Sequence, residues 1–317
     1  MADHMLLETQ PIEIPTDSKW ITGIASDQRI CEVAGRVLSA RLNCACRSLA
    51  LAAEKSDEDV EHVHRLRISV RRAVEAVRVF AGLMEKADVD ALRDRLRRIR
   101  LASDDARNLD VLMERFAHGD GLPARLLEQI RVRRQEVQGA IAAVHQEITP
   151  QDCEKMIEQL VQQVTFHRQG EGKQQFRRLA PKYLTGSVKK FFNAAESDLT
   201  SEDSLHALRI RTKKLRYTME IVAIAFDSTF RKRLYAQVTH FQDLLGTVND
   251  HVTARTLFRD LQSKAENAEE RAFFDGVLLA ERRVVEDLRA AFSAVWMPRV
   301  VSKLKRQFQS HCRKCGV

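Results

Sequence analysis

Glycine, proline and aromatic residues are scarce in this sequence. Its 317 residues include 12 Gly and 6 Pro, and aromatic side chains make up 6% of the chain. Because Gly and Pro disfavour helix interiors, their scarcity beside abundant helix formers predicts an all-α protein. The length allows about two domain-sized units, which is enough to bury a sizeable core.

Long apolar runs are also missing. No run reaches the roughly 18 residues that a transmembrane helix needs. Residues 1–19 are acidic and lack a basic segment followed by an apolar one, so we expect no secretory signal and no membrane partner. The protein is therefore expected in the cytoplasm.

Cysteine is too sparse and scattered to predict a metal centre. Cys44 and Cys46, two residues apart, would point to different faces of a helix. Cys312 and Cys315 form a lone CxxC motif, whereas zinc sites usually need four such ligands and no second Cys/His pair is nearby. We expect neither a metal nor a cofactor.

What the chain does contain is an internal repeat. The segment Val63–Phe80 returns as Leu205–Val222, with His64 matching His206 at an offset of 142 residues (206 minus 64). Such an exact offset suggests duplication of one supersecondary unit. The same offset relates Arg67 to Arg209, Arg71-Arg72 to Lys213-Lys214, and Arg107-Asn108 to Asn249-Asp250.

The basic charge of the chain coincides with this repeat. Each copy contains five Lys or Arg and one Glu, so the two copies together carry +8, which equals the formal net charge of the whole chain. The rest of the sequence balances, with 42 basic (52 minus 10) and 42 acidic (44 minus 2) groups. The surplus charge thus lies in two predicted helices.

Each copy has a basic stripe opposite an apolar one at helical spacing. Solvated helix faces usually mix signs, because like charges at i,i+4 destabilise a helix. Here Arg67 and Arg71 are such a pair, and Arg209 and Lys213 repeat it. This repeated repulsion indicates an anionic partner, with Glu75 and Glu220 as the acidic groups that orient neighbouring guanidinium groups.

The repeated run H-x-x-R-x-x-x-R-R resembles the CHAD family, the conserved histidine α-helical domain, over about residues 26–310. Two further segments resemble the family's RDxDV and LGxxND motifs: ARNLDVL at Ala106–Leu112 and LLGTVNDHVTA at Leu244–Ala254. The residues that carry the two basic motifs are His64, Arg67, Arg71 and Arg72, and then His206, Arg209, Lys213, Lys214, Arg216 and Tyr217.

The resemblance implies two four-helix bundles related by a pseudo-twofold axis, with the motif helices lining a central basic channel. It also implies binding of inorganic polyphosphate and an association with polyphosphate granules. Val74 stands where the first motif usually has Arg, and Asn108 where Asp is usual. We therefore expect the first half to hold phosphate less strongly. The predicted units are a tail (1–25), two helical halves (26–170 and 171–310) and a basic tail (311–317).

The sequence thus predicts a non-enzymatic polyphosphate-binding protein of unspecified oligomeric state. Rigid helices suit a flexible polyanion, because side chains at i, i+3, i+4 and i+7 form a straight row. The predicted contacts are His64, Arg67, Arg71, Arg72, Arg78, Arg107, His206, Arg209, Lys213, Lys214, Arg216, Tyr217 and Asn249.

Three alternatives remain open. Nucleic-acid binding agrees with a pI of about 9.3, but single-strand binders interleave aromatic platforms and only Tyr217 lies on a basic face. Phosphate hydrolysis usually recruits Mg²⁺ through clustered carboxylates, whereas the basic faces carry only Glu75 and Glu220, and no ExExK pattern is present. A scaffold that binds an acidic protein is the third.

Overall fold

The computed structural model describes residues 18–116, 124–167 and 170–314. Within these ranges the chain is helical and has no strand, which confirms the all-α prediction; an isolated bridge joins Arg29 to Gln175. The helices are α1 (Ile30–Glu54), α2 (Glu61–Phe80), α3 (Lys86–Ala102), α4 (Asp104–Phe116), α5 (Ala124–Glu147), α6 (Pro150–Thr165), α7 (Phe176–Ala195), α8 (Glu202–Val222), α9 (Ala236–Ser263), α10 (Ala268–Val295) and α11 (Pro298–Lys314).

Two helices begin later than residues of the type that favours N-caps would suggest. Ser26 and Asp27 form a turn ahead of α1, and Phe176 N–H at the start of α7 donates to Gln28 C=O at 2.9 Å. Ser56 and Asp57 also lie ahead of their helix: α2 begins at Glu61, whose N–H donates to the side chain of Asp59 at 2.9 Å. Backbone groups outside the helices thus find other partners.

The segment between α3 and α4 is broken at a single residue. Ser103 donates its N–H to the carbonyl of Ile99 at 3.2 Å, and α4 begins at the next residue. The corresponding part of the second half opens with a π-helical segment, Phe230–Tyr235, and continues unbroken through α9. Asn249 and Asp250 lie within this continuous helix.

The helix order of the first half recurs in the second. Adding 142 to the bounds of α2 gives 203–222, and α8 spans Glu202–Val222. The same shift moves α1 to 172–196, close to α7 at Phe176–Ala195. Duplication is thus visible at the level of helices, while the pseudo-twofold axis stays a prediction.

Two apolar cores join the halves. The larger core combines α1, α2, α3, α6, α7 and α8, with side chains such as Phe80 and Phe191 fully buried. The smaller core joins α4 and α5 of the first half to α9 and α10 of the second, through Leu112, Ile130 and Phe258. Because each core draws on both halves, burial of apolar surface stabilises the halves together.

Among the described residues, no helix combines the length and the apolar character needed to cross a membrane. The predicted loop at Gly119–Pro123 lies outside them, as do residues 1–17 of the predicted tail and Cys315.

Candidate anion-binding site

The four helices that carry the predicted site residues contact one another in a ring. Helix α2 packs against α8 and α4, and α9 packs against α8 and α4, so the two basic helices face each other within one ring. Four cations project where α2 and α8 approach each other, and we call them the cation cluster: Arg67, Arg71, Arg209 and Lys213.

The cation cluster is only partly neutralised. Arg67 donates to the carboxylate of Asp104, and Arg209 lies 3.9 Å from Asp250. Within the described part of the chain, Arg71 and Lys213 have no carboxylate or hydrogen-bond partner. All four cations are half-buried, so their mutual repulsion is poorly screened. An anion between the two helices would relieve it.

The repulsion is visible in the pKa values. Burial first, and then the neighbouring Arg71 and Arg209, lower the pKa of Lys213 from 10.5 to about 6. Burial also lowers the pKa of Arg209, with Asp250 opposing this effect. The guanidinium groups stay charged at neutral pH, whereas Lys213 becomes the cation whose charge depends on a bound anion.

Several buried guanidinium nitrogens on the ring helices lack partners, including one each in Arg107 and Arg209. Arg209 Nε and Arg107 Nη1 are buried and make no hydrogen bond in the structure. Buried donors are nearly always satisfied in folded proteins, by protein, water or ligand. An oxygen acceptor that reached these two N–H groups would satisfy them.

The two motif histidines take equivalent places beside the cluster. His206 Nδ1 lies 2.8 Å from Asn249 Oδ1, and Asn249 Nδ2 donates to Thr253 Oγ1 at 3.2 Å. Because the amide oxygen can only accept, Nδ1 is the donor and Nε2 faces away from this bond. His64 has Arg107 as its neighbour; burial and then Arg107 lower its pKa. The structure thus brings the histidine motifs and the ARN/VND motifs together.

Two other predicted arginines lie in a separate, buried arrangement, which we call the inter-half network. Arg72 Nε donates to Glu220 at 2.8 Å across the α2–α8 contact. Arg78 Nε donates to Glu75 at 3.0 Å, and Thr218 donates its hydroxyl to the same carboxylate. Both arginines were predicted to contact phosphate, and in the structure their guanidinium groups are paired with carboxylates.

The C-terminal part of the second motif also lies outside the cation cluster. Tyr217 is 4% exposed, and the guanidinium carbon of Arg216 lies 4.7 Å from its ring centroid. Arg216 lies 3.6 Å from Glu220, and Lys214 is exposed. Tyr217, expected on a basic face, is therefore a buried packing residue rather than an open platform.

Sequence reasoning missed several partners of these groups. Arg41 of α1 lies 3.8 Å from Glu220, and the hydroxyl of Tyr235 donates to Glu220 at 2.8 Å. Arg41 interrupts the apolar stripe of α1 in the sequence. That position indicated a buried charge, and a buried charge requires a partner. Asp104 and Asp250, which neutralise the edges of the cation cluster, were not predicted to do so.

No group of three or more His, Cys, Asp or Glu side chains that could hold a metal occurs in the ranges that the structure describes. The arrangement supplies fixed cations and N–H donors instead. Groups of this kind suit oxyanions, because arginine provides paired hydrogen bonds and lysine a point charge.

Fold and site together define an all-helical protein with two related basic helices facing each other. The chain belongs to the CHAD family: the CHAD domain model matches residues 37–259, which is more than half of the chain. The resemblance inferred from the motifs is thereby confirmed.

Solved structures agree on the fold. The CHAD domain from the plant Ricinus communis is 22% identical, with a TM-score of 0.67 over 87% of this chain and 96% of that one. PptA from Streptomyces chartreusis is 18% identical, with a TM-score of 0.56 over 83% and 98%. No curated protein sequence matches the chain significantly.

Proposed function

We propose that this protein binds inorganic polyphosphate in a channel enclosed by α2, α4, α8 and α9, and that it does so without hydrolysing the polymer. Support comes from membership of the CHAD family, which is associated with polyphosphate, and from the cation cluster. We expect the protein in the cytoplasm, with polyphosphate granules as one location.

The observation that carries this proposal is the facing pair Arg71 and Lys213. Each is half-buried and lies among other cations, and in the described part of the chain neither forms a salt bridge or a side-chain hydrogen bond; Asp250 only partly offsets the charge around Lys213. Without a ligand, mutual repulsion between such groups lowers the stability of the folded protein. A linear polyanion with one charge per unit would neutralise cations on both helices at once.

The contrast with nucleic acids rests on the aromatic groups. Non-specific single-strand binders stack bases on exposed aromatic rings between basic groups. The one aromatic residue of the basic motifs, Tyr217, is buried. The cation cluster therefore offers charge without a stacking surface, which suits a polymer that has phosphates but no bases.

The test is a titration with long-chain polyphosphate at two salt concentrations. We expect Arg71→Ala/Lys213→Ala to weaken binding by about tenfold or more and to flatten the salt dependence, because fewer counterions are displaced per complex. Lys303→Ala/Arg306→Ala removes two exposed cations from α11 and serves as the matched control. Equal binding by the two double variants would refute the site.

Competition separates the remaining alternatives. If duplex DNA or RNA displaced polyphosphate at equal phosphate concentration, nucleic acid would become the favoured ligand. Magnesium-dependent release of phosphate from tripolyphosphate would point to an enzyme. An acidic protein retained in excess polyphosphate would favour a scaffold.

A further inference from the structure

Two cysteines of the first half lie in contact although they are 107 residues apart in sequence. Cys46 belongs to α1 and Cys153 to α6, and their sulfur atoms are 2.6 Å apart. Both are free thiols, and Cys46 donates its S–H to Cys153. Neither residue lies on the helices that enclose the cation cluster, so their proximity is independent of the proposed anion site.

The environment divides the two thiols into different chemical roles. Hydrogen bonding from Cys46 lowers the pKa of Cys153, and the same bond, together with burial, raises the pKa of Cys46. Arg95 of α3 lies near both sulfurs and favours a thiolate, whereas burial and Asp152 act against it at Cys153. Cys153 is thus the better nucleophile of the pair.

Helix geometry supports the same assignment. Cys153 lies in the first turn of α6, which begins at Pro150, and its N–H donates to the carbonyl of Thr149 at 3.0 Å. The positive end of a helix dipole stabilises negative charge at such a position. Cys46 is partly exposed, so a small oxidant can reach the pair from solvent.

We propose that Cys46 and Cys153 form a reversible disulfide, a redox modification site that links α1 to α6. With a peroxide as the oxidant, the Cys153 thiolate attacks one oxygen, the O–O bond breaks, and sulfenic acid and hydroxide form. Cys46 then attacks the sulfenic sulfur and loses its proton, and water leaves. The two sulfurs together supply the two electrons that the peroxide gains, and a dithiol reverses the reaction.

The expected consequence is a more stable first half. The new bond would close a loop that contains α2 through α5, and long loops gain most from closure in the chain-entropy account. Helix α1 packs directly against α2, which carries Arg67 and Arg71. Oxidation would therefore hold one wall of the proposed channel more firmly against the larger core.

The test uses the full chain with Cys312→Ser/Cys315→Ser, which removes the CxxC pair from the C-terminal end. After treatment with hydrogen peroxide or diamide, we expect a mass loss of about two hydrogens and one linked peptide pair containing Cys46 and Cys153. The melting temperature should rise by roughly 5 °C and return to its starting value with dithiothreitol.

Matched variants make the outcome decisive. Cys46→Ser should abolish the mass loss and the thermal shift, while Cys44→Ser, at a buried thiol on the same helix, should leave both intact. Cys153→Ser serves as the second variant, so that a folding defect in one leaves the other readable. A fully reduced Cys46 and Cys153 after oxidation, or a linkage between other cysteines, would overturn the proposal.

Discussion

The cation cluster and the inter-half network lie on the same two helices and are built from the same residue types, yet their electrostatics are opposite. In the network, Arg72 donates to Glu220, which is 3% exposed, so both charges are compensated. In the cluster, Arg71 and Lys213 face other cations. Arginines one position apart on α2 thus serve different purposes, because one meets a carboxylate and the other does not.

This difference shows why a charged stripe alone does not define a binding site. Glu75 and Glu220 are each the only acidic residue of their copy of the repeat. Each accepts a hydrogen bond from an arginine: Glu75 from Arg78 and Glu220 from Arg72. Buried charges that are paired hold a structure in one arrangement. Half-buried charges left without partners mark the place where a ligand is expected.

The largest effect should follow from breaking the network. Glu220→Gln would leave Arg41 and Arg72 buried without a compensating charge, and we expect it to lower the free energy of unfolding by about 3 kcal/mol. Denaturant unfolding measures the loss. As a control, Glu196→Gln breaks an exposed ion pair with Lys305 and should cost less than about 1 kcal/mol. Equal losses in the free energy of unfolding for the two variants would contradict the role of Glu220 in compensating buried arginines.

A smaller effect should appear when pH is raised. Between about 6, its pKa in the folded protein, and 10.5, its ordinary value, Lys213 binds fewer protons folded than unfolded. Stability contributed by this group therefore rises with pH across that window. A bound polyanion favours the charged amine, so binding takes up a proton above pH 6, and affinity should fall by up to about tenfold per pH unit.

Long-chain polyphosphate titrated at pH 6, 7 and 8 at constant ionic strength measures this dependence. The charged groups that shift Lys213 are Arg67, Arg71 and Arg209, opposed by Asp250. Lys213→Arg keeps the charge at every pH and should flatten the profile. An unchanged slope in Lys213→Arg would show that another group takes up the proton.

The smallest expected effect concerns the acid at the edge of the cation cluster. Asp250 lies 3.9 Å from Arg209 and is exposed, so Asp250→Asn should tighten polyphosphate binding by about threefold, with little change in stability. Asp243→Asn, an exposed carboxylate on the same helix, is the control. Weaker binding by Asp250→Asn would mean that this carboxylate orients Arg209 rather than competing with the ligand.

Much of the site could be predicted from sequence because the repeat is exact. The offset that pairs His64 with His206 also pairs Arg107 with Asn249, and in the structure His64 lies near Arg107 and His206 lies beside Asn249. Helical spacing also placed Arg67 and Arg71 on one face. The motif assigned both Arg71 and Arg72 to phosphate, and neither the motif nor helical spacing reveals that Glu220 of α8 pairs with Arg72.

The sequence by itself determined the helical architecture, the duplication and the location of the surplus positive charge, because these depend on composition and on periodicity along the chain. Only the tertiary structure decided which of those charges are neutralised. Glu220 meets Arg72 from the other half and Arg41 from α1, and these pairings depend on how distant helices pack. Long-range packing, and not local spacing, thus separates the structural arginines from those left available to an anion.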